Sequence, residues 1–151
     1  MLTQVYDKFV RTGKVELIFL DLPLPMHQNA FKAAEAAACA GDQKMFWEMH
    51  HQLFANQGAL GPEQLSSYAG ELGLDVAAFQ KCLSSGKQAP GIREDMRVAQ
   101  NLGITGTPAY LLGRRLPGGD KVQILDMVKG LPPYEELEKR INALLTPEPP
   151  G

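Results

Sequence analysis

The chain has 151 residues, of which 44% are hydrophobic and 21% charged, and its formal net charge is −2. This length and composition are typical of one globular domain that can bury a substantial core. The near-neutral charge, with Lys and Arg scattered among Asp and Glu, argues against a nucleic-acid or acidic-membrane surface.

Targeting signals are not evident. No apolar run approaches the roughly 18 residues that a membrane helix needs. The opening stretch, MLTQVYDKFVRTGK, lacks the apolar centre of a secretory signal. We therefore expect a cytoplasmic protein, or one whose leader lies outside this sequence.

The first two elements predicted along the chain are a helix and a strand. Residues 2–11 place apolar side chains at helical spacing, and Gly13 is a natural stop. Residues 14–24, KVELIFLDLPL, are rich in apolar and β-prone residues, which predicts a buried strand.

The middle of the chain is predicted to be helical in about five pieces, up to residue 102. Two strand-like runs follow at 109–116 and 121–128, around the turn sequence PGGD, and predict an antiparallel hairpin. A last amphipathic helix covers 134–145, and the proline-rich tail, 147–151, is expected to be frayed. The predicted order is helix, strand, helical block, strand, strand, helix.

The two cysteines, Cys39 and Cys82, are 43 positions apart, and the sequence contains no CxxC. This excludes a dithiol redox motif and a four-cysteine zinc site within these residues. Two buried free thiols are one interpretation of the pair. A disulfide is the other, and it would close a loop worth about 4 kcal/mol in an oxidising compartment.

Other candidate catalytic groups are sparse. His27, His50 and His51 have no metal-ligand spacing, and the aromatic residues near them are more simply core. No nucleophile elbow, phosphate-binding loop or dinucleotide fingerprint occurs. The sequence therefore predicts neither a metal nor a cofactor.

Pro108 stands at the start of a predicted strand, where it cannot donate a ladder hydrogen bond and must occupy a first or edge position.

Four phrases in this order resemble the DsbA-like branch of the thioredoxin superfamily. They are GKVELIFLDLPLPMHQNA, AACAGDQKMFWEMHHQLFANQ, GLDVAAFQKCL and GITGTPAYLL. The resemblance implies an α/β fold of the thioredoxin type, whose first strand is missing here. It implies a single domain over 1–146, with a helical insertion at about 27–103.

The resemblance also implies roles for four residues. Pro108 would be the family's cis-proline and Thr107 the residue before it, the pair that binds an extended peptide of a thiol-containing protein substrate by β-augmentation. Cys39 and Cys82 match insertion positions where related sequences also carry cysteines. This supports a structural disulfide, with two free thiols as the alternative.

The chain departs from the family at its start. The first strand and the CxxC that opens the first helix would precede Leu2, so we expect no dithiol–disulfide exchange by these residues. Without that strand two sheet edges are exposed. We therefore expect the sheet to be completed by another chain, in a homo-oligomer or a strand-swapped dimer.

Three functions remain open at this point. The first is a thiol–disulfide oxidoreductase domain, active only if a CxxC lies upstream of this sequence, in which case the resemblance implies a location in the bacterial envelope or periplasm. The second is a non-catalytic module for peptide binding or assembly. The third is a relative of the kappa-class glutathione transferases or isomerases, which have a serine in place of the CxxC.

Overall fold

The computed structural model describes residues 2–119 and 121–146. Asp120, in the predicted turn, and the tail 147–151 lie outside these residues. The elements in chain order are α1 (Leu2–Val5), a π-helical turn (Tyr6–Val10), α2 (Ala30–Gly41), α3 (Phe46–Ala55), α4 (Pro62–Glu71), α5 (Val76–Ser85), α6 (Ala89–Asn101), β1 (Ala109–Arg115), β2 (Val122–Lys129) and α7 (Tyr134–Leu145). No helix among the described residues is both long and apolar enough to span a bilayer.

The chain divides into two compact units. One runs from Leu20 to Gly103 and contains α2 to α6. The other contains the residues up to Phe19 and those from Ile104 onwards.

The helical unit is built around α2, whose sequence AFKAAEAAACAG is rich in alanine. Alanine is the residue that most favours helix formation, and its small side chain lets neighbouring helices approach closely. Larger side chains from α3, α4 and α5 complete this core, notably Met49, Leu65 and Phe79. The prediction of five helical pieces in the middle of the chain is confirmed.

The start and end of α5 illustrate how local sequence sets its limits. The Asp75 carboxylate accepts a hydrogen bond from the Ala78 N–H at 2.9 Å, as an N-cap does. The Gln43 side chain binds the backbone of Asp75 at both its N–H (2.9 Å) and its carbonyl (3.2 Å). Gly86 follows the helix with φ +65°, a conformation that glycine adopts without penalty. The cap and the glycine therefore fix the limits of α5.

The second unit contains a two-stranded antiparallel sheet, which confirms the predicted hairpin. Ala109 pairs with Lys129 at one end and Arg115 with Val122 at the other. The register shifts between Leu112 and Gly113, as in a β-bulge.

The helices of this unit pack with the hairpin in a separate small core. Val5 and Phe9, from the start of the chain, meet Leu137 and Ile141 of α7. The α7 pair is spaced by four residues, so both side chains lie on one helical face. Partly buried side chains of the hairpin and its surroundings pack against this cluster: Val15, Tyr110, Leu112 and Tyr134.

The prediction of a buried strand over 14–24 is wrong. These residues form no strand, and Ile18 is 50% exposed. The backbone groups of Glu16, Leu17 and Ile18 form no hydrogen bond with another described residue. A β-prone sequence becomes a strand only when a neighbouring strand supplies the ladder. Among the described residues, no strand forms a ladder with this segment.

Candidate peptide-binding site and cysteine pair

The segment that leads into β1 forms an exposed loop. Gly103 follows α6 with φ +65°, which turns the chain away from the helix. The four residues from Thr105 to Pro108 are all exposed. The peptide bond between Thr107 and Pro108 is cis.

The backbone groups on the two sides of this bond differ in their hydrogen bonding. The Pro108 carbonyl accepts a hydrogen bond from the Gly130 N–H at 2.8 Å, so the start of β1 is held to the end of β2. The N–H and carbonyl of Thr107 bond to no other described residue. Thr107 thus presents one donor and one acceptor to solvent immediately before a strand.

An ion pair stabilises the other end of the hairpin. Arg115 binds the Glu16 carboxylate through two nitrogens, each at 2.7 Å, and donates to the Gly119 carbonyl at 2.6 Å. The bonds from Arg115 hold the pKa of Glu16 below its usual range. Such a bidentate pair restricts geometry as well as adding attraction.

A second pair ties β2 to α7. The Arg140 guanidinium lies 2.8 Å and 3.0 Å from the two oxygens of Asp126 and also binds Glu136. The bond from Arg140 lowers the pKa of Asp126. These contacts position the hairpin on α7 and therefore support the Thr107–Pro108 loop indirectly.

Cys39 and Cys82 are joined in a disulfide, with a Cα–Cα distance of 5.9 Å. The bond connects α2 with α5 inside the helical unit. Cys39 is 1% exposed and belongs to the main core, whereas Cys82 is half-buried. Neither residue belongs to a CxxC.

Polar side chains gather around the Cys82 sulfur. The Asp42 Oδ2 lies 3.7 Å from it and accepts hydrogen bonds from Lys87 Nζ at 3.0 Å and Gln88 Nε2 at 2.9 Å. Gln88 Nε2 is also 4.0 Å from the same sulfur. The sequence alone did not indicate this cluster, because Cys82, Lys87 and Gln88 are 40 or more positions from Asp42 along the chain.

Sequence reasoning also missed a carboxyl pair in the helical unit. The Asp21 backbone N–H donates to Asp95 Oδ2 at 2.9 Å. Burial and the charge of Asp95 raise the pKa of Asp21 to about 6, and burial, helped by Glu94, raises the pKa of Asp95. No local pattern marks a contact across 74 positions.

The histidines form no metal site. His27 is exposed. The His50 ring stacks on Phe54 with centroids 4.5 Å apart, and burial, together with the charge of His51, lowers the pKa of His50. Among the described residues no group of three potential ligands is close enough to hold an ion.

Several curated relatives carry the name of a sodium–proton antiporter. The chain is 41% identical over 113 residues to Na(+)/H(+) antiporter NhaA 1 of Salinispora arenicola, a match covering 74% of this chain and 17% of that protein. It is 38% identical over 123 residues to NhaA 3 of Salinispora tropica, covering 80% of this chain and 19% of that protein. The chain thus spans less than a fifth of the length of these relatives.

Two further comparisons concern the fold. The crystal structure of the thiol-disulfide exchange protein alpha-DsbA2 from Wolbachia pipientis superposes with a TM-score of 0.73 at 21% identity, covering 95% of this chain and 70% of that one. This similarity establishes the thioredoxin-like fold with its helical insertion. The profile of the DSBA-like thioredoxin domain matches residues 2–142. Since this match covers nearly the whole sequence, the chain belongs to the family of DSBA-like thioredoxin domains.

Proposed function

We propose that the chain is a DsbA-family domain that binds extended segments of thiol-containing proteins at Thr107–Pro108. The observation that carries the proposal is the exposed Thr107 backbone, whose N–H and carbonyl have no partner among the described residues. An extended peptide that pairs with these groups would lengthen the ladder at the start of β1, which is the geometry of β-augmentation. Family membership supplies the substrate class, because DsbA-like domains act on protein thiols.

Two matched peptides, one of them N-methylated along its backbone, test this proposal. The probe is an eight-residue peptide of alternating valine and threonine, with one central cysteine blocked as its carbamidomethyl derivative. We expect it to shift the amide resonances of Thr107 and Ala109 in the ¹⁵N-labelled chain. The same peptide with N-methyl groups on its pairing edge cannot donate hydrogen bonds and should bind at least tenfold more weakly, a loss of about one strong backbone hydrogen bond. Equal binding of the two peptides, or shifts confined to other residues, would refute the site.

The sequence contains no CxxC, so binding at this site is proposed without dithiol exchange by these 151 residues. We expect insulin reduction with dithiothreitol to proceed at the background rate when the chain is added. The matched control is the Cys39→Ala/Cys82→Ala variant. Turnover by the unmodified chain that disappears in this variant, while the variant keeps the circular dichroism spectrum of the folded chain, would show that the disulfide is catalytic and would contradict the proposal.

We also propose that the segment 16–18 pairs with the same segment of a second copy. The backbone groups of Glu16, Leu17 and Ile18 bond to no other described residue and Ile18 is half-exposed, which supports this arrangement because an open backbone edge with apolar side chains is a template for another strand. Sedimentation velocity over a concentration series should detect a dimer, and Ile18→Glu should give a monomer with an unchanged circular dichroism spectrum. A monomer at every concentration of the unmodified chain would rule the pairing out.

The names of the curated relatives favour a location beside a membrane transporter. We propose that the domain acts alongside an antiporter of the NhaA type, because the matches to proteins of that name reach 41% identity over most of the chain. An antibody raised against the chain should detect its antigen in the membrane fraction of the native source and should co-precipitate the antiporter. Recovery of the antigen in the soluble fraction alone would contradict this association.

A further inference from the structure

The two sulfurs of the disulfide differ in their surroundings. Cys39 is 1% exposed and lies in the apolar core with Ala36, Met49 and Phe79. Cys82, on α5, is only half-buried, and its sulfur faces the polar group of Asp42 and its partners. A thiol reagent approaching the folded chain therefore meets the Cys82 sulfur first.

Two groups of opposite charge, Asp42 and Lys87, lie near the Cys82 sulfur and nearly neutralise each other. Asp42 lies 3.7 Å from the Cys82 sulfur, and Lys87 neutralises it through a 3.0 Å contact. Asp42 is 40% exposed and Lys87 is 63% exposed, so water and small solutes reach both groups. Removing either charge would leave the other facing the sulfur from a few ångströms away.

We propose that Cys82 is an S-thiolation site for small monothiols, and that the Asp42–Lys87 pair sets which thiols react there. A thiolate attacks Cys82 Sγ, forms a mixed disulfide with it and breaks the Cys39–Cys82 bond. Cys39 leaves with the electron pair as a thiolate and takes a proton from solvent. One monothiol thereby releases Cys39 as a reduced thiol, while Cys82 remains oxidised in the mixed disulfide.

The burial of Cys39 governs the fate of the mixed disulfide. A thiolate in an apolar core is poorly solvated, so release of Cys39 is disfavoured. Its sulfur also stays next to the mixed disulfide, because the two helices hold it there. Attack by Cys39 on Cys82 therefore restores the original bond and releases the monothiol. Exchange at Cys82 is in this way reversible and does not turn over, which is consistent with the background rate that we expect in the insulin assay.

Charged monothiols test the site without unfolding the chain. The probes are cysteamine, which has a cationic tail, and 2-mercaptoethanesulfonate, which has an anionic tail. After reaction with the folded chain, acid quenching and mass spectrometry should locate the adduct on Cys82. Alkylation after denaturation should then label Cys39 as the free thiol.

Single charge changes separate this proposal from general accessibility. Asp42→Asn should raise the rate of adduct formation with the sulfonate relative to the rate with cysteamine, by about fourfold for each unit of tail charge, as expected for a unit charge about 5 Å away in water. The charge of the attacking thiolate is common to both probes and cancels in this ratio. Lys87→Gln should shift this ratio in the opposite sense. Glu63→Gln on α4 is the control and should leave the ratio unchanged. An adduct on Cys39, no adduct on the folded chain, or equal responses to both probes would overturn the proposal.

Discussion

Glu35 has an acidic side chain that is only 2% exposed, and among the described residues its carboxylate pairs with Lys32. Lys32 Nζ lies 2.6 Å from it and also donates to the Leu83 carbonyl at 3.1 Å. We expect Lys32→Met to lower the free energy of unfolding by about 2–3 kcal/mol, because it leaves a carboxylate buried without its counter-charge. Urea denaturation measures the loss.

A second substitution shows whether the charge is the cause. Adding Glu35→Gln to Lys32→Met should recover most of the lost stability, since an amide is less costly to bury than a carboxylate. Lys81→Met on the exposed side of α5 is the control and should change stability little. A Lys32→Met protein as stable as the unmodified chain would show that water already solvates Glu35.

Asp21 should make stability depend on pH. Its pKa is raised from 3.8 to about 6 in the folded chain, so the folded state binds the proton more tightly than the unfolded state does. The resulting stabilisation is complete below about pH 3.8 and is lost as the pH rises through 6. Urea denaturation from pH 4 to 7 should show this decline, and Asp21→Asn should flatten it. Parallel pH profiles for the two proteins would contradict the assignment.

At the scale of elements, the β-bulge of the hairpin depends on a glycine. A Cβ atom at Gly113 would collide with the Gln123 carbonyl oxygen and would lie 2.8 Å from Val122 Cγ1. We expect Gly113→Ala to destabilise the second unit by about 1–3 kcal/mol, as overpacking does elsewhere. Thermal or urea unfolding measures the loss.

Gly91 in α6 is the matched control, because a Cβ there meets no atom within 4 Å. In a helix, alanine is favoured over glycine, so Gly91→Ala should raise stability by about 0.5–1 kcal/mol. The two glycine-to-alanine changes should therefore have opposite signs. A stabilising Gly113→Ala would mean that the register shift at Leu112–Gly113 does not persist in solution.

At the scale of the whole molecule, the Cys39–Cys82 disulfide constrains the unfolded chain. It closes a loop over 43 positions, for which the chain-entropy estimate is about 4 kcal/mol. The Cys39→Ala/Cys82→Ala variant should lose about this much free energy of unfolding. Hydrogen exchange should rise mainly in α2 and α5, the helices that the bond connects. A loss below about 1 kcal/mol would show that the unfolded chain is already compact without the crosslink.

Local sequence alone determined the elements whose stabilising interactions lie close together in the chain. The five middle helices, the Asp75 cap, the hairpin and the apolar face of α7 follow from spacing, capping and turn residues within a few positions. The order of these elements and four sequence phrases were enough to identify the DsbA-like family, and the profile match agrees.

Tertiary structure decided whatever depends on a distant partner. Residues 14–24 have a strand's composition but form no strand, because pairing requires a neighbour that local composition cannot specify. Closure of the Cys39–Cys82 bond, the approach of Asp42 to its sulfur and the raised pKa of Asp21 all join positions 40 or more apart. Side-chain type and spacing do not encode such distances. They arise only when the packed helices bring the two groups together.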